Sequence, residues 1–411
     1  MKNPKFQLFA SFIAMMMIGN LQYTWTLFVE PLRKSTHWDR PQITAAYTIY
    51  IALQTWVQPL TGWFIERVGQ RPFVTVAGVL CGIGWSMMGR ATSLPELYFF
   101  YALAGIGAAF VYSGSMGSAL KWFPNRRGFA SGVIAAGYGG GSALSVWIVR
   151  YLIQNYNYQT AFLASGIVQG IVIAVVAQFL LYPDKDFVPA KAAVAATPIK
   201  SRRGSDNFTS VEMLRTPRFY VLFVMFVAVG TGGLFLTASS GSIASDWGLS
   251  ATLTAAASFG LLANAGSRPF WGWVSDHWGR ENTMVVAFFL QAVFLTAFAT
   301  IGRSSGVMFA ATLILTYFTW GEIYALFPAT VGDYFGQKHA TSNNSFLYAA
   351  KGVAAIAISI LQVVQKHFNS WEMALYVSAV LALLTCLTAF AIRQLPLPKK
   401  HEAQGFAATS S

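Results

Sequence analysis

Long apolar segments, separated by short polar ones, dominate the pattern of this chain. A run of about twenty apolar residues is long enough to cross a lipid bilayer as an α-helix. By that measure the chain has about twelve candidate spans. They begin near Leu8, Ile43, Phe73, Pro95, Phe129, Gln159, Phe219, Ser250, Thr283, Val307, Ser342 and Trp371. The pattern therefore predicts an all-α, polytopic membrane protein with twelve transmembrane helices.

The composition supports a membrane protein. Of 411 residues, 55% are hydrophobic and 10% are charged, and the mean hydropathy is +0.50. A soluble domain has about 25% charged residues, so this chain is far more apolar. The two cysteines, Cys81 and Cys386, both fall within predicted spans. Neither a disulfide framework nor a metal or cofactor site is indicated.

The net charge of +13 reflects the orientation of the chain in the membrane rather than binding to nucleic acid. The Lys and Arg residues are scattered over short loops and do not form one basic face, so no nucleic-acid partner is expected. With an even number of spans both termini lie on one side of the membrane. That side carries most of the basic residues, which predicts cytoplasmic termini in the cell inner membrane.

A loop over residues 183–217, rich in Ala, Lys, Arg, Ser and Asp, divides the predicted spans into two groups of six. We predict one six-helix half at 1–182, a second at 218–395, and a disordered cytoplasmic tail at 396–411. The halves are related by an internal repeat. Five residues recur 210 positions later: Pro59, Gly62, Trp63, Glu66 and Gly69 become Pro269, Gly272, Trp273, Asp276 and Gly279.

Two cations lie where a membrane span should be nearly free of charge. Arg268 is inside the eighth predicted span and Lys351 inside the eleventh. A charge at membrane depth is costly and usually functional, so the pair predicts an anion site. The alternative is that each side chain reaches the interface or pairs with an acid such as Glu322. By the repeat, Arg268 corresponds to Gln58 and Lys351 to Gly139, so only the second half carries these charges.

The segment Gly62–Arg71 resembles the loop 2-3 signature of the major facilitator superfamily, and residues 272–280 repeat it. Finer matches resemble the oxalate/formate antiporter family within that superfamily; they lie at 22–27, 122–128, 135–139, 268–272, 320–328 and 349–351. The resemblance implies exchange of small carboxylates across the bacterial inner membrane by a protein that is usually a monomer. It also implies that an arginine in span eight and a lysine in span eleven, here Arg268 and Lys351, are essential.

The same resemblance implies roles for further residues. The substrate-binding set is Arg268, Lys351, Gln22, Tyr23, Tyr112, Tyr138, Trp320, Tyr324 and Tyr348. The gating set is Gly62, Glu66, Arg67, Gly69, Arg71, Gly272, Asp276, Gly279 and Arg280. Phenol and indole groups can donate to carboxylate oxygens while their rings exclude water. Each aromatic residue, taken alone, equally fits core packing or an interfacial belt.

Glu322 departs from the family pattern, which has a small residue there. An acid inside the membrane needs a partner, and it is either structural or a coupling group for protons. A proton-coupled monocarboxylate symporter is therefore the alternative to an exchanger, and a membrane sensor is a third class. An enzyme is not expected, because no span carries a Ser/His, paired-Asp or His-cluster arrangement.

Overall fold

The computed structural model describes residues 3–183, 203–204 and 206–400. Most of the predicted connecting loop and the tail from residue 401 onwards lie outside the described residues. The described part is helical and confirms the predicted all-α class. The first half contains eight helices: α1 Pro4–Tyr23, α2 Trp25–Thr36, α3 Arg40–Trp56, α4 Gln58–Val68, α5 Gln70–Met88, α6 Leu94–Trp122, α7 Arg127–Asn155 and α8 Tyr158–Ala177.

The rest of the described chain begins with a short helix and continues through the second half. The helices are α9 Ser210–Leu214, α10 Pro217–Asp246, α11 Ser250–Trp278, α12 Arg280–Ile301, α13 Gly306–Trp320, α14 Ile323–Phe335, α15 Ala340–Tyr348, α16 Ala350–Phe368 and α17 Trp371–Gln394. All twelve predicted starting points fall in helices. There are more helices than predicted spans chiefly because spans one, two, ten and eleven are each interrupted once.

Ten helical segments in the described chain are long and apolar enough to cross a membrane. The two predicted spans outside that set are residues 40–68 and Ser250–Trp278, which are helical but more polar. Both carry buried polar side chains, Gln54 and Gln58 in the former and Asn264 and Arg268 in the latter. Length and composition therefore support ten of the twelve predicted spans, and the assignment of spans two and eight as transmembrane remains a prediction. Their polar residues face protein, as an intramembrane polar group requires.

The two repeat-related prolines behave differently. Span two breaks at Val57, directly before helix α4 with Pro59 near its start. Helix α11, in contrast, runs continuously through Pro269. A proline inside a helix removes one backbone hydrogen bond and can kink or break the helix. Such a break occurs next to Pro59 in span two, whereas span eight remains one long helix at Pro269.

The outer surface of the bundle is apolar. Large exposed hydrophobic side chains occur on most long helices; on α7 they are Leu144, Trp147, Ile148 and Tyr151. An apolar surface of this extent would be unfavourable in water and is expected where lipid tails cover it. The surface therefore fits a multi-pass membrane protein.

Helices α5 and α8 pack through small residues on both sides. Gly78 and Gly82 face Gly166 and Gly170, each pair spaced as in the small-xxx-small pattern that brings membrane helices close together. A methyl group added at Gly170 would lie 2.8 Å from the α-carbon of Gly82, well inside van der Waals contact.

We predict that Gly170→Ala destabilises the protein by about 1–3 kcal/mol, because the two backbones must separate to admit the methyl group. Gly140→Ala is the matched control, since nothing lies within 4 Å of the added atom. Thermal unfolding in detergent should show a lower melting temperature for the first variant only. Equal melting temperatures would contradict this packing.

Candidate anion-binding site and gate

Arg268 lies on α11 and is 2% exposed. One terminal nitrogen donates to Asn264 Oδ1 at 2.8 Å, one helical turn earlier. The other donates to the backbone carbonyl of Ala135 on α7, in the first half of the chain. The guanidinium therefore crosses the boundary between the halves. Gly139 lies beside it, since a β-carbon there would be in van der Waals contact with Arg268 Cζ, at 3.7 Å.

Lys351 lies in the first turn of α16, directly after the helix interruption at Ala349, and is also 2% exposed. Its ammonium donates to Gln22 Oε1 and to the Tyr348 hydroxyl, each at 3.2 Å. A longer contact of 3.5 Å joins it to Gln54 Oε1. Gln22 and Gln54 belong to the first half, so this second cation also spans the two halves.

The six predicted aromatic residues form one continuous series of ring contacts. Neighbouring ring centroids are 4.0 to 6.4 Å apart in the order Tyr23, Tyr138, Tyr112, Tyr348, Tyr324 and Trp320. Both cations lie over this series. Arg268 Cζ is 4.6 Å from the Tyr324 ring centroid, and Lys351 Nζ is 5.4 Å from those of Tyr138 and Tyr348. The structure thus brings the whole predicted substrate-binding set together in an aromatic cage.

Several buried donors in the cage have no acceptor in the described part of the chain. They are Arg268 Nε, the Trp320 indole N–H and the Tyr112 hydroxyl. A buried donor left unpaired costs free energy, so such groups call for an explanation. The acceptors that the two cations do have are all neutral: an amide, a phenol or a backbone carbonyl. Positive charge and spare donors together favour an anionic ligand rich in oxygen.

The helix interruptions lie at the depth of the cage. Span one breaks at Thr24 beside Tyr23, and span eleven breaks at Ala349 beside Tyr348. Span ten breaks between α13 and α14, which separates Trp320 from Tyr324. Interrupted helices at mid-membrane are a frequent feature of transporter binding sites, because freed backbone groups and small rotations become available there. The cage therefore lies at the level where these three spans depart locally from regular helical hydrogen bonding.

Glu322 occupies the interruption in span ten and is completely buried. Within the described residues it forms no ion pair, and neither carboxylate oxygen has a hydrogen-bond partner. In particular, the structure has no ion pair between Glu322 and Arg268 or Lys351. Neither cage cation is therefore neutralised by this acid.

The turns at Gly69 and Gly279 mark one end of the bundle, which we name the gate end. Both glycines have positive φ angles, of 95° and 97°, which L residues rarely adopt. Asp276 accepts hydrogen bonds from the backbone N–H groups of Gly128 and Phe129 at the start of α7, at 3.0 and 2.8 Å. An acid of the second half thus caps a helix of the first half.

Asp276 is part of a buried charge network. Arg280 pairs with Asp276 at 2.7 Å and with Asp333 at 2.8 Å, and both its partners are nearly inaccessible. Arg127, from the first half, contacts Asp333 at 2.6 Å. Arg203, within the connecting loop, lies 3.7 Å from the same carboxylate. These pairs hold α7, α11, α12 and α14 together at the gate end.

A second, smaller network is related to the first by the repeat. Glu66 accepts from the backbone N–H groups of Thr341 and Ser342 at the start of α15, at 3.0 and 3.2 Å. Lys121 Nζ is 3.5 Å from the same carboxylate, and His339 Nδ1 is 3.3 Å from it. Here an acid of the first half caps a helix of the second. The gate end is therefore closed by two reciprocal interlocks.

The remaining members of the predicted gating set divide into two kinds. Gly62 packs against Ser345, and Gly272 against the Gly128 backbone, so both permit close approach of the halves. Arg67 and Arg71 are exposed and lie outside the two networks; Arg67 stacks on Trp63 with Cζ 3.6 Å from the ring centroid.

Sequence reasoning missed several members of the site and gate: Gln54, Asn264, Lys121, Arg127, Arg203, Asp333 and His339. The repeat contained a signal for the gate residues, because Lys121 and Asp333 are 212 positions apart, as are Arg127 and His339. Asn264 had no comparable signal, since its role depends on lying one turn from Arg268.

A bundle of apolar helices around a buried, aromatic-lined pair of cations is the architecture of a membrane transporter. A family model described as Major Facilitator Superfamily matches residues 8–359 and 221–410. The chain belongs to this superfamily, whose members are secondary transporters, and it is a transporter rather than an enzyme.

Individual relatives agree. The chain is 36% identical over 398 residues to the oxalate:formate antiporter of Oxalobacter formigenes, covering 97% of this chain and 92% of that protein. This similarity confirms the family resemblance seen in the motifs. Two solved structures share the fold: the Escherichia coli fucose:proton symporter FucP, with a TM-score of 0.71 and 12% identity, and the proton:xylose symporter XylE, with 0.70 and 11%. Between 95% and 99% of each chain is covered in these two comparisons.

We predict that Asp333→Asn destabilises the protein by about 3–5 kcal/mol, because it leaves buried guanidinium groups short of their counter-charge. The matched control is Glu30→Gln. Its ion pair with Arg33 is about half exposed, with side-chain exposures of 51% and 50%, so its loss should leave the melting temperature nearly unchanged. Thermal unfolding in detergent measures both. A similar loss for the two variants would refute a structural role for the buried network.

Proposed function

We propose that this protein exchanges small carboxylate anions, of the size of oxalate and formate, across the membrane by alternating access. The observation that carries the proposal is the aromatic cage, in which two buried cations have only neutral acceptors and further donors are unpaired. The name of the 36% identical relative, an oxalate:formate antiporter, supports the same substrate class.

Arg268 and Lys351 have different roles in this proposal. A guanidinium presents a planar fork that matches a carboxylate bidentately, whereas an ammonium is a compact charge with no fixed direction. Arg268 would hold one carboxylate end, and Lys351 a second carboxylate end or the same group from the other side. Trp320 and Tyr112 would donate to the remaining oxygens. The first half would contribute neutral and aromatic groups, and the second half the charge.

Exchange, rather than one-way transport, follows from electrostatics. Removing water from two cations without a counter-charge costs several kcal/mol per ion even after relaxation. An empty carrier would therefore reorient slowly. A bound carboxylate neutralises the pair and contacts both halves, so occlusion becomes accessible with cargo from either side. Net flux without a counter-substrate would be small.

The two interlocks would act as the gate on one side of the membrane. We place the gate end in the cytoplasm, with both termini, because the basic loops of the chain gather on that side. With the interlocks formed, as described here, the cage would open to the opposite side. We further propose that the protein lies in the inner membrane of a bacterium and acts as a monomer.

We predict that Arg268→Lys and Lys351→Gln each lower exchange at least tenfold, because each removes a charge or geometry that the carboxylate requires. The assay loads liposomes with labelled oxalate and adds a panel of external carboxylates. Lys366→Gln is the matched control, since this lysine lies in the last turn of α16, far along the helix from Lys351. Unchanged exchange in either cage variant would refute the assignment.

A second candidate function is proton-coupled symport of monocarboxylates. The specific observation that favours it is Glu322, a buried acid without a partner in the described residues. An unpaired carboxylate at this depth is far less costly when it carries a proton, so it could bind and release one during the cycle.

Glu322→Gln separates the two functions. For an exchanger, we predict that the variant keeps labelled-oxalate exchange within about twofold, since the amide mimics a protonated acid that contacts neither cation. For a symporter, substrate addition would acidify the liposome lumen in the parent protein and not in the variant. A pH-sensitive dye in the lumen measures this directly, and a substrate-dependent signal in the parent would favour symport over exchange.

A further inference from the structure

The two interlocks at the gate end differ in a position that responds to pH. His339 stands 212 positions after Arg127, the same offset that relates Lys351 to Gly139. Both residues lie at the beginning of a helix that is capped by an acid of the opposite half, α15 and α7 respectively. Arg127 contacts Asp333 at 2.6 Å, and His339 contacts Glu66 at 3.3 Å.

This difference affects how each interlock responds to pH. Arginine keeps its charge throughout the physiological range, so the strength of the Arg127 ion pair does not depend on protonation of Arg127. Histidine is the side chain that gains and loses its charge between about pH 5 and 8. The His339 ring is 29% exposed, so protons from the solution at the gate end can reach it.

We propose that His339 is a pH sensor that biases the gate: its protonation adds an ion pair with Glu66 and favours the closed gate end, and its deprotonation weakens that interlock. The inference rests on the gate geometry, and only its consequence for transport rests on the proposed exchange function. Acidification at the gate end would favour the conformation whose cage opens to the opposite side.

The surrounding charges set the size of this effect. His339 and Glu66 line a cavity of about 950 Å³ at the gate end, together with Arg67, Lys121 and Lys338. Glu66 is the acid among these lining residues, and Lys121 Nζ also lies 4.3 Å from the Tyr182 ring centroid. A proton on His339 therefore gains one attraction and meets several like charges. For a partly exposed pair this predicts a roughly two- to fivefold change in the ratio of open to closed gate.

The test uses a thiol placed behind the gate. Ser345 is completely buried, and its hydroxyl donates to Ser113 of the first half at 3.1 Å, so it becomes accessible only when the halves separate. Ser345→Cys is introduced after replacement of the buried Cys81 and Cys386 by alanine. Alkylation by N-ethylmaleimide is then followed in detergent, without any substrate, over a pH series.

The comparison between variants isolates the histidine. Each alkylation rate is divided by that of the same protein carrying His339→Arg, which cancels the pH dependence of the thiol itself. We expect the ratio for the parent to be near one in acid and to rise roughly two- to fivefold toward pH 8. His339→Gln should give a ratio above one that does not change with pH. Glu66→Gln should also abolish the pH dependence, because the histidine loses its counter-charge.

His277→Gln is the matched control, since that ring bonds the Trp273 carbonyl of its own helix and should leave the pH dependence unchanged. A constant ratio in the parent, or a pH-dependent ratio in His339→Gln, would overturn the proposal. Because alkylation requires no cargo, failure here is distinguishable from failure of carboxylate exchange. An exchanger with a pH-insensitive gate would show a constant alkylation ratio but would still exchange carboxylates.

Discussion

Positive charge held in a medium that solvates it poorly is the constraint on which this structure depends. Arg268 and Lys351 are both nearly inaccessible, and every acceptor the structure gives them is a neutral oxygen. Such acceptors align dipoles toward a cation but do not cancel its charge. The aromatic cage limits water around the pair, which strengthens its attraction for an anion. The cost of these buried cations and their attraction for an anion therefore have the same origin.

Cage and gate are connected because the same helices carry both. Arg268 and Asp276 are eight residues apart on the continuous helix α11, about 12 Å along its axis. If this helix moves as a rigid unit, Arg268 and the capping acid Asp276 move together. Span eleven differs, because the interruption at Ala349 separates Lys351 from the gate contacts at Thr341 and Ser342. Cage and gate contacts thus share one continuous helix in span eight, whereas in span eleven they lie on two consecutive helices.

The internal repeat shows how one duplicated scaffold acquired different chemistry in its two copies. Positive-φ glycines and helix-capping acids are retained in both, since they maintain the turn and the closed gate. The charged positions diverged: Gln58 corresponds to Arg268, and Gly139 to Lys351. Gly139 lies beside the guanidinium of the other half. The two copies therefore keep a similar backbone at these positions, while only the second half carries the cage cations.

The sequence by itself determined the helical class, the positions of the helices, the repeat and the two membrane cations, because each depends on local hydrophobicity or on residue identity. The motif residues of the cage were also predictable, through family resemblance. Only the tertiary structure decided that Asn264 orients Arg268, that Glu322 pairs with neither cation, and that Arg127 and His339 close opposite interlocks. These contacts join residues distant in sequence, so their partners are fixed by how the two halves pack, which no local pattern encodes.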